Sequence, residues 1–318
     1  ADCAQPAVDD GCEVTLGSDT DCAACGHDCE GGSCTAGDCS AFSLASDFGT
    51  VLSLAVDANN VYWANQQNST VESVPVGGGG VTLLKPGAGN AWYVTLDGTH
   101  VYWANESTNL LGRVPKGGGA DDVVVAGHAD AVGVNDTTAF YLQDQGLWTT
   151  PKAGGGSPVN VASFSVPLDL VVDGDDVFVS DAGLQGIRHY DASTNSAVQL
   201  YVLVGNDVPN RIALDASHIF FTGGGNGKVW SGTRDGQTLT EIVALSGNTA
   251  GLALSATHVY FTDSFNGEIR RVPKAGGAHE LIATGQADAG PIGVDANAVY
   301  WARTTGGDIY KKVLAPAP

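Results

Sequence analysis

Leu54–Asn65 reads LAVDANNVYWAN, and Val94–Asn105 reads VTLDGTHVYWAN. Both copies run apolar-small-apolar-Asp, then about three polar residues, then an apolar-aromatic run. Variants begin at Val132 (VGVNDTTAFYLQ), Leu170 (LVVDGDDVFVSD), Ile212 (IALDASHIFFTG), Leu252 (LALSATHVYFTD) and Ile292 (IGVDANAVYWAR). Successive starts lie 38 to 42 residues apart, and the seven copies fill the chain from residue 50 onward without a gap. A fixed period of this length marks a repeat architecture.

Each copy reads as strands. The aromatic and β-branched runs are strand formers bounded by turn residues. Asp57, Asp97, Asp173, Asp215 and Asp295 fall where a turn must follow the first strand, and an Asp side chain there accepts from backbone N–H groups two residues on. Third strands follow, as in LGRVPK and EIRRVPK, then glycine-rich hairpins and fourth strands such as DDVVVAG and ELIATG. Four strands per repeat is the arithmetic of a propeller blade. The last copy runs out after its third strand, and AFSLAS at Ala41–Ser46 is available to supply the fourth. The expectation is an all-β, seven-bladed β-propeller over residues 41–318, with 41–46 completing the last blade. A cysteine-rich segment precedes it over residues 1–40.

The pentapeptides VYWAN, VYFTD, VFVSD and VYWAR, preceded by apolar-Ala/Gly-apolar-Asp at Leu54 and Ile292 and by variants of it elsewhere, resemble the YWTD repeats of low-density-lipoprotein-receptor-type propellers. The VPKGGG and VPKAGG hairpins at Val114 and Val272 resemble the bacterial branch of that family. The likeness spans nearly everything after the cysteine-rich head. It departs in blade number, since the receptor propellers have six, and the Thr-Asp half is complete only at Thr262-Asp263. The resemblance implies a binding or scaffold domain and transfers no catalytic residue.

All seven cysteines, Cys3, Cys12, Cys22, Cys25, Cys29, Cys34 and Cys39, lie in the head, which has no Lys or Arg. Such a segment has too little apolar surface for a core of its own, so disulfides are expected to order it. The pairing is left open by the spacing, with one cysteine odd. The segment DGCEVTLGSDTDCAACGHDCEGGSCTAGDC resembles cysteine-rich segments of exported proteins of myxobacteria and related bacteria, which implies a secreted or surface context. The chain has no methionine and reads as a mature form after signal-peptide removal, secreted or at the cell surface.

The formal net charge of −21 opposes a nucleic-acid backbone or an anionic membrane surface as partner. No apolar run approaches the length of a membrane span. No P-loop, dinucleotide fingerprint, His-Glu-x-x-His or Gly-x-Ser-x-Gly elbow is present.

In a propeller, the loops from strand four to the next strand one share a face with those from strand two to strand three, around the mouth of the central channel. The residue just before each first strand is expected near that mouth: Ser53, Tyr93, Ala131, Asp169, Arg211, Gly251 and Pro291. Asp169 and Arg211 are expected to form an ion pair between neighbouring blades. Asp169 and Arg211 are also candidate ligand contacts, together with Trp92, Tyr93, His128, Asp130 and Asn210 beside them. A second set closes the second strands, of which Asp263 and Arg303 are also ligand candidates, with Asn65, Asn105, Gln143 and Asp181. The tryptophans Trp63, Trp103 and Trp301 read as packing between blades, and Lys116, Lys152 and Lys274 as exposed repeat positions on the opposite face.

The leading reading is a secreted or cell-surface, non-enzymatic binding or scaffold protein whose channel face takes an extracellular protein, peptide or glycan. One alternative is a lyase or hydrolase working through His128, Asp169 and Arg211; another is a lectin. No cofactor and no metal are expected, with Ca²⁺ at the channel as the one variant, and the oligomeric state is left open.

Overall fold

The computed structural model describes residues 22, 28–36, 38–46, 48–105, 110–205 and 207–315. Cys3, Cys12 and Cys25 lie outside them. The described residues form seven four-stranded antiparallel blades and contain no helix. Blade one comprises Gly49–Val56, Asn60–Asn65, Thr70–Pro75 and Thr82–Lys85. The inner strands of blades two to seven are Ala91–Leu96, Ala131–Val134, Pro167–Asp173, Pro209–Leu214, Thr249–Leu254 and Ala289–Val294. They adjoin one another in sequence around the channel, and the last adjoins the first.

Closure follows the expected route. Phe42–Ala45 pairs antiparallel with Ile309–Val313 as the outer strand of blade seven. A second clasp comes from Thr305–Gly306, which pairs with Gly49–Thr50 of blade one.

The core is divided into seven apolar clusters, one at each blade interface. Strand alternation explains how a Tyr-Trp pair serves two of them. Tyr62 faces blade two, where it packs with Trp103, while its neighbour Trp63 faces blade seven and packs with Tyr300. Trp63, Trp103, Trp301, Tyr141, Phe221 and Phe261 are all fully buried. They are inter-blade packing, and repeated sugar-stacking platforms at these positions are ruled out.

Turn chemistry is equally regular. Asp57 Oδ1 accepts from the N–H groups of Asn59 and Asn60, both at 2.9 Å. Asp97, Asp215 and Asp295 do the same in their blades. In the outer hairpins Gly118 and Gly119 adopt φ of 80° and 126°, which L side chains avoid.

The opposite face corrects one expectation. Lys116, Lys152 and Lys274 are not free surface lysines. Each reaches back one blade to the turn aspartate: Lys116 to Asp57 at 2.9 Å, Lys152 to Asp97 at 3.0 Å and Lys274 to Asp215 at 3.0 Å. Arg234 makes the same stitch to Asp173 and Asp176.

The head is tied by the disulfides Cys22–Cys34 and Cys29–Cys39. Its cysteines pack on Val313 of blade seven. Lys311 and Lys312 of the same strand, both buried, pair with Glu30 and Asp38 of the head. The sulfurs of Cys22, Cys29 and Cys39 lie within 4.8 Å of one another, but all three are oxidised and offer no thiolate to a metal. Disulfides, and the absence of any helix long and apolar enough to cross a membrane among the described residues, are compatible with an extracellular protein.

Candidate functional site

Six of the seven inner-strand positions nominated from the repeat, Ser53, Tyr93, Asp169, Arg211, Gly251 and Pro291, line one cavity of about 120 Å³ on the channel axis. They sit inside the inner strands rather than before them, because these strands start two to four residues earlier. Six inner strands carry a β-bulge at this level, as between Pro167 and Asp169 or Ala91 and Tyr93. A bulge re-aims the side chains that follow it. Blade three pairs regularly at this point, and its Ala131 is fully buried.

The bulges explain a motif letter. Ser180 Oγ accepts from the Asp169 N–H at 3.0 Å and donates to the Asn210 carbonyl of the next blade at 2.7 Å. Thr262 repeats this with Gly251 and Gly290, at 2.8 and 2.9 Å. Thr222 accepts from the Arg211 N–H at 3.1 Å. A hydroxyl at this place satisfies a donor that the bulge takes out of the ladder.

Asp169 is buried and saturated. Its carboxylate accepts from the Tyr93 hydroxyl at 2.8 Å, from its neighbour Leu170 N–H at 3.0 Å and from Ile212 N–H at 3.2 Å. Burial pushes its pKa up, and the nearby Arg211 charge and the Tyr93 hydroxyl offset only part of that. Burial and the Asp169 charge raise the Tyr93 phenol well above its usual range. The expected Asp169–Arg211 ion pair is not a contact: no carboxylate of the described residues lies within 4.0 Å of the Arg211 guanidinium. The carboxylate is held by hydrogen bonds, and Arg211 acts on it only through its field.

Above the channel lies a depression of about 430 Å³, lined by Leu52, Trp92, Tyr93, Asp130, Pro167, Leu168 and Arg211. His128 stands behind its rim, with Nε2 at 2.7 Å from Asp130 Oδ1. Trp92 is anchored by its indole N–H on the Ala129 carbonyl at 3.2 Å. The structure therefore gathers Trp92, Tyr93, His128, Asp130, Asp169 and Arg211 at one place. Asn210 contributes through its backbone, as the acceptor for Ser180.

The second-strand ends behave differently. Asn65, Asn105, Asp181 and Asp263 are fully buried. Asp181 accepts from Ser165, Val166, Gly183 and Leu184 N–H groups. Asp263 accepts from the backbone and side chain of Asn266. Arg303 pairs with Asp308 and donates to the Ala287 carbonyl at 3.1 Å. These residues pin the loops of the channel face; Asp263 and Arg303 are not set out toward a ligand.

Leu52, Pro167 and Leu168 were not visible as site residues in the sequence. They look like ordinary strand positions, and only the bulges turn them toward the mouth. The donor set is also a poor match for calcium. That ion takes about six to eight oxygens, and Asp169 is the one carboxylate on the channel cavity, already carrying three hydrogen bonds.

The class is thus defined by fold: a seven-bladed β-propeller with a polar channel and an apolar-walled mouth. No protein-family model and no curated protein matches the chain. Among solved structures it is similar to virginiamycin B lyase from Staphylococcus aureus, at TM-score 0.72 and 14% identity over 87% of this chain and 99% of that one. The WD40 propeller domain of Doa1 aligns at TM-score 0.71 and 14% identity, over 85% and 95%. A chain of the nidogen/laminin complex aligns at 0.53 and 16%, over 65% and 86%. Identities this low carry the fold alone, and propellers of this kind occur both in a lyase and in a protein–protein complex.

Proposed function

We propose that this chain is a secreted or surface-bound binding propeller that presents its channel face to an extracellular protein, peptide or glycan. The observation that carries the reading is the exposed apolar rim of that face. Val166, Leu168, Leu184, Val204 and Phe265 are exposed by 38 to 81%, while the polar side chains among them are spent on holding loops. Clustered exposed apolar side chains around a concave mouth favour docking. Asp169 supports the same reading, since a buried carboxylate with three donors has no free role in proton transfer.

The test compares the protein with Leu168→Asp and Val204→Asp variants on peptide and glycan arrays. Retention of a ligand by the unaltered protein, weakened at least about tenfold by these surface changes, is expected; a tenfold change is about 1.4 kcal/mol. Turnover of a substrate that channel-face substitutions abolish would sink the binding reading.

One observation favours a second reading, a lyase. The His128–Asp130 pair at 2.7 Å has the geometry of an oriented general base. Acid–base work would fall to this pair rather than to Asp169. His128→Ala should then lower turnover at least about a hundredfold.

A further inference from the structure

We propose that the depression above the channel receives the C-terminal carboxylate of a peptide ending in an apolar residue, with Arg211 as the anion-binding fork. This rests on the reading of the chain as a binding propeller and names its ligand class.

The first observation is an imbalance in the charge pairing. The chain has 35 acidic and 14 basic residues, so a carboxylate partner for any cation is in ample supply. Twelve of the fourteen basic side chains do lie within 4.0 Å of one. The two others are Arg188 and Arg211. Arg188 is covered by the Phe164 ring, 5.6 Å from its centroid. Arg211 has neither a carboxylate nor a side-chain hydrogen-bond partner among the described residues. It lines both the channel cavity and the depression above it. In a chain of net charge −21, the one guanidinium left open faces the mouth.

The second observation is the shape and chemistry of the walls. Leu52, Trp92, Pro167 and Leu168 make the depression apolar, and its volume of about 430 Å³ falls within the common range for ligand pockets. Asp169 near Arg211 and Asp130 on the rim restrict the guest to a single negative charge. A doubly charged phosphate would meet two carboxylates for one cation. A carboxylate matches the guanidinium fork with two parallel N–H···O bonds.

The third observation selects a peptide over a free acid. Asp181 ties the loop of Ser165 and Val166 to that of Gly183 and Leu184, and Gln185 Nε2 donates to the Gly205 carbonyl at 3.1 Å. The exposed tips Val166, Leu184 and Val204 thus sit on adjoining loops that continue outward from Leu168. A chain whose last residue fills the depression would lay its preceding residues across this apolar strip.

The experiment titrates the whole protein with acetylated tetrapeptides ending in Leu, Ile, Val or Phe, each as free acid and as C-terminal amide. The free acids are expected to bind at least about tenfold more tightly, the scale of a charge-assisted bidentate contact. Arg211→Ala should erase the difference, and Arg211→Lys should restore part of it as a point charge without the fork. Because the acid–amide comparison uses the unaltered protein, a folding defect in the variants does not decide it. Equal binding of acid and amide overturns the carboxylate assignment. Binding of N-acetyl-leucine as tight as that of the peptides overturns the peptide in favour of a small acid. If neither form binds while a glycan or another ligand is held in a Leu168-sensitive way, this inference fails and the binding reading stands. If neither binds and the mouth turns over a substrate, both fail.

Discussion

Asp57, Asp97 and Asp295 each do at least two jobs with one side chain. One oxygen caps the turn, the other accepts from the Tyr five residues on, and two of the three also take a lysine from the next blade. Tyr102 donates to Asp97 at 2.8 Å and Tyr300 to Asp295 at 2.7 Å. That bond is the physical content of the spacing between the Asp and Tyr of the repeat. Burial raises the pKa of Asp215, but the Ser217 N–H, Lys274 and the His218 N–H outweigh it and hold the group down at about 2. Asp57 and Asp97 are lowered by the same balance. An unfolded Asp titrates near about 3.9, so the unfolded chain binds more protons below that pH. Stability supplied by these groups is full above pH about 4 and is lost as the pH falls toward 2. Thermal melts should show Tm dropping across that window, and Lys274→Met should shrink the drop. A Tm flat from pH 4 to 2 would remove the stitches from the account of stability.

At the scale of the strand, one alternation serves two interfaces. Side-chain direction alternates along the second strand, and this sends Tyr one way and Trp the other into successive interfaces. Glycines make room where a large ring crosses a third strand. A Cβ on Gly112 would lie 2.3 Å from the Trp103 ring, closer than any packing allows. Gly112→Ala should therefore destabilise by about 1–3 kcal/mol, the usual range for overpacking. Trp103→Phe in the same chain should relieve part of it, and a double-mutant cycle in urea gives the coupling. Purely additive costs would mean that the two side chains do not compete for this space. Strands, blade number and the Asp turns were legible in the sequence because they follow local periodicity. The roles of Asn65, Asn105, Asp181 and Asp263 were not. A polar residue ending a strand looks the same whether it faces a ligand or pins a loop, and only the fold of the loop over it decides.

For the whole molecule, the ring is held shut by one short outer strand, the Thr305–Gly306 clasp and a small oxidised head. Phe42–Ala45 covers an edge that would otherwise be open, and open edges invite pairing with other chains. Truncation after residue 40 should leave a folded ring with lowered Tm, because Lys311 and Lys312 lose Glu30 and Asp38. Truncation after residue 46 should yield material that aggregates, as size-exclusion chromatography would show. Equal behaviour of the two truncations would deny the strand its closing role.

What the sequence determined by itself was the ring: seven copies of a period-two pattern can bury their aromatic faces only against one another. What tertiary structure alone decided was the mouth. The bulges that aim Leu52, Tyr93, Leu168 and Arg211 toward it arise from register shifts between strands, and the openness of Arg211 depends on where twelve other cations found carboxylates. Both are properties of neighbours distant in the chain, which local pattern does not encode.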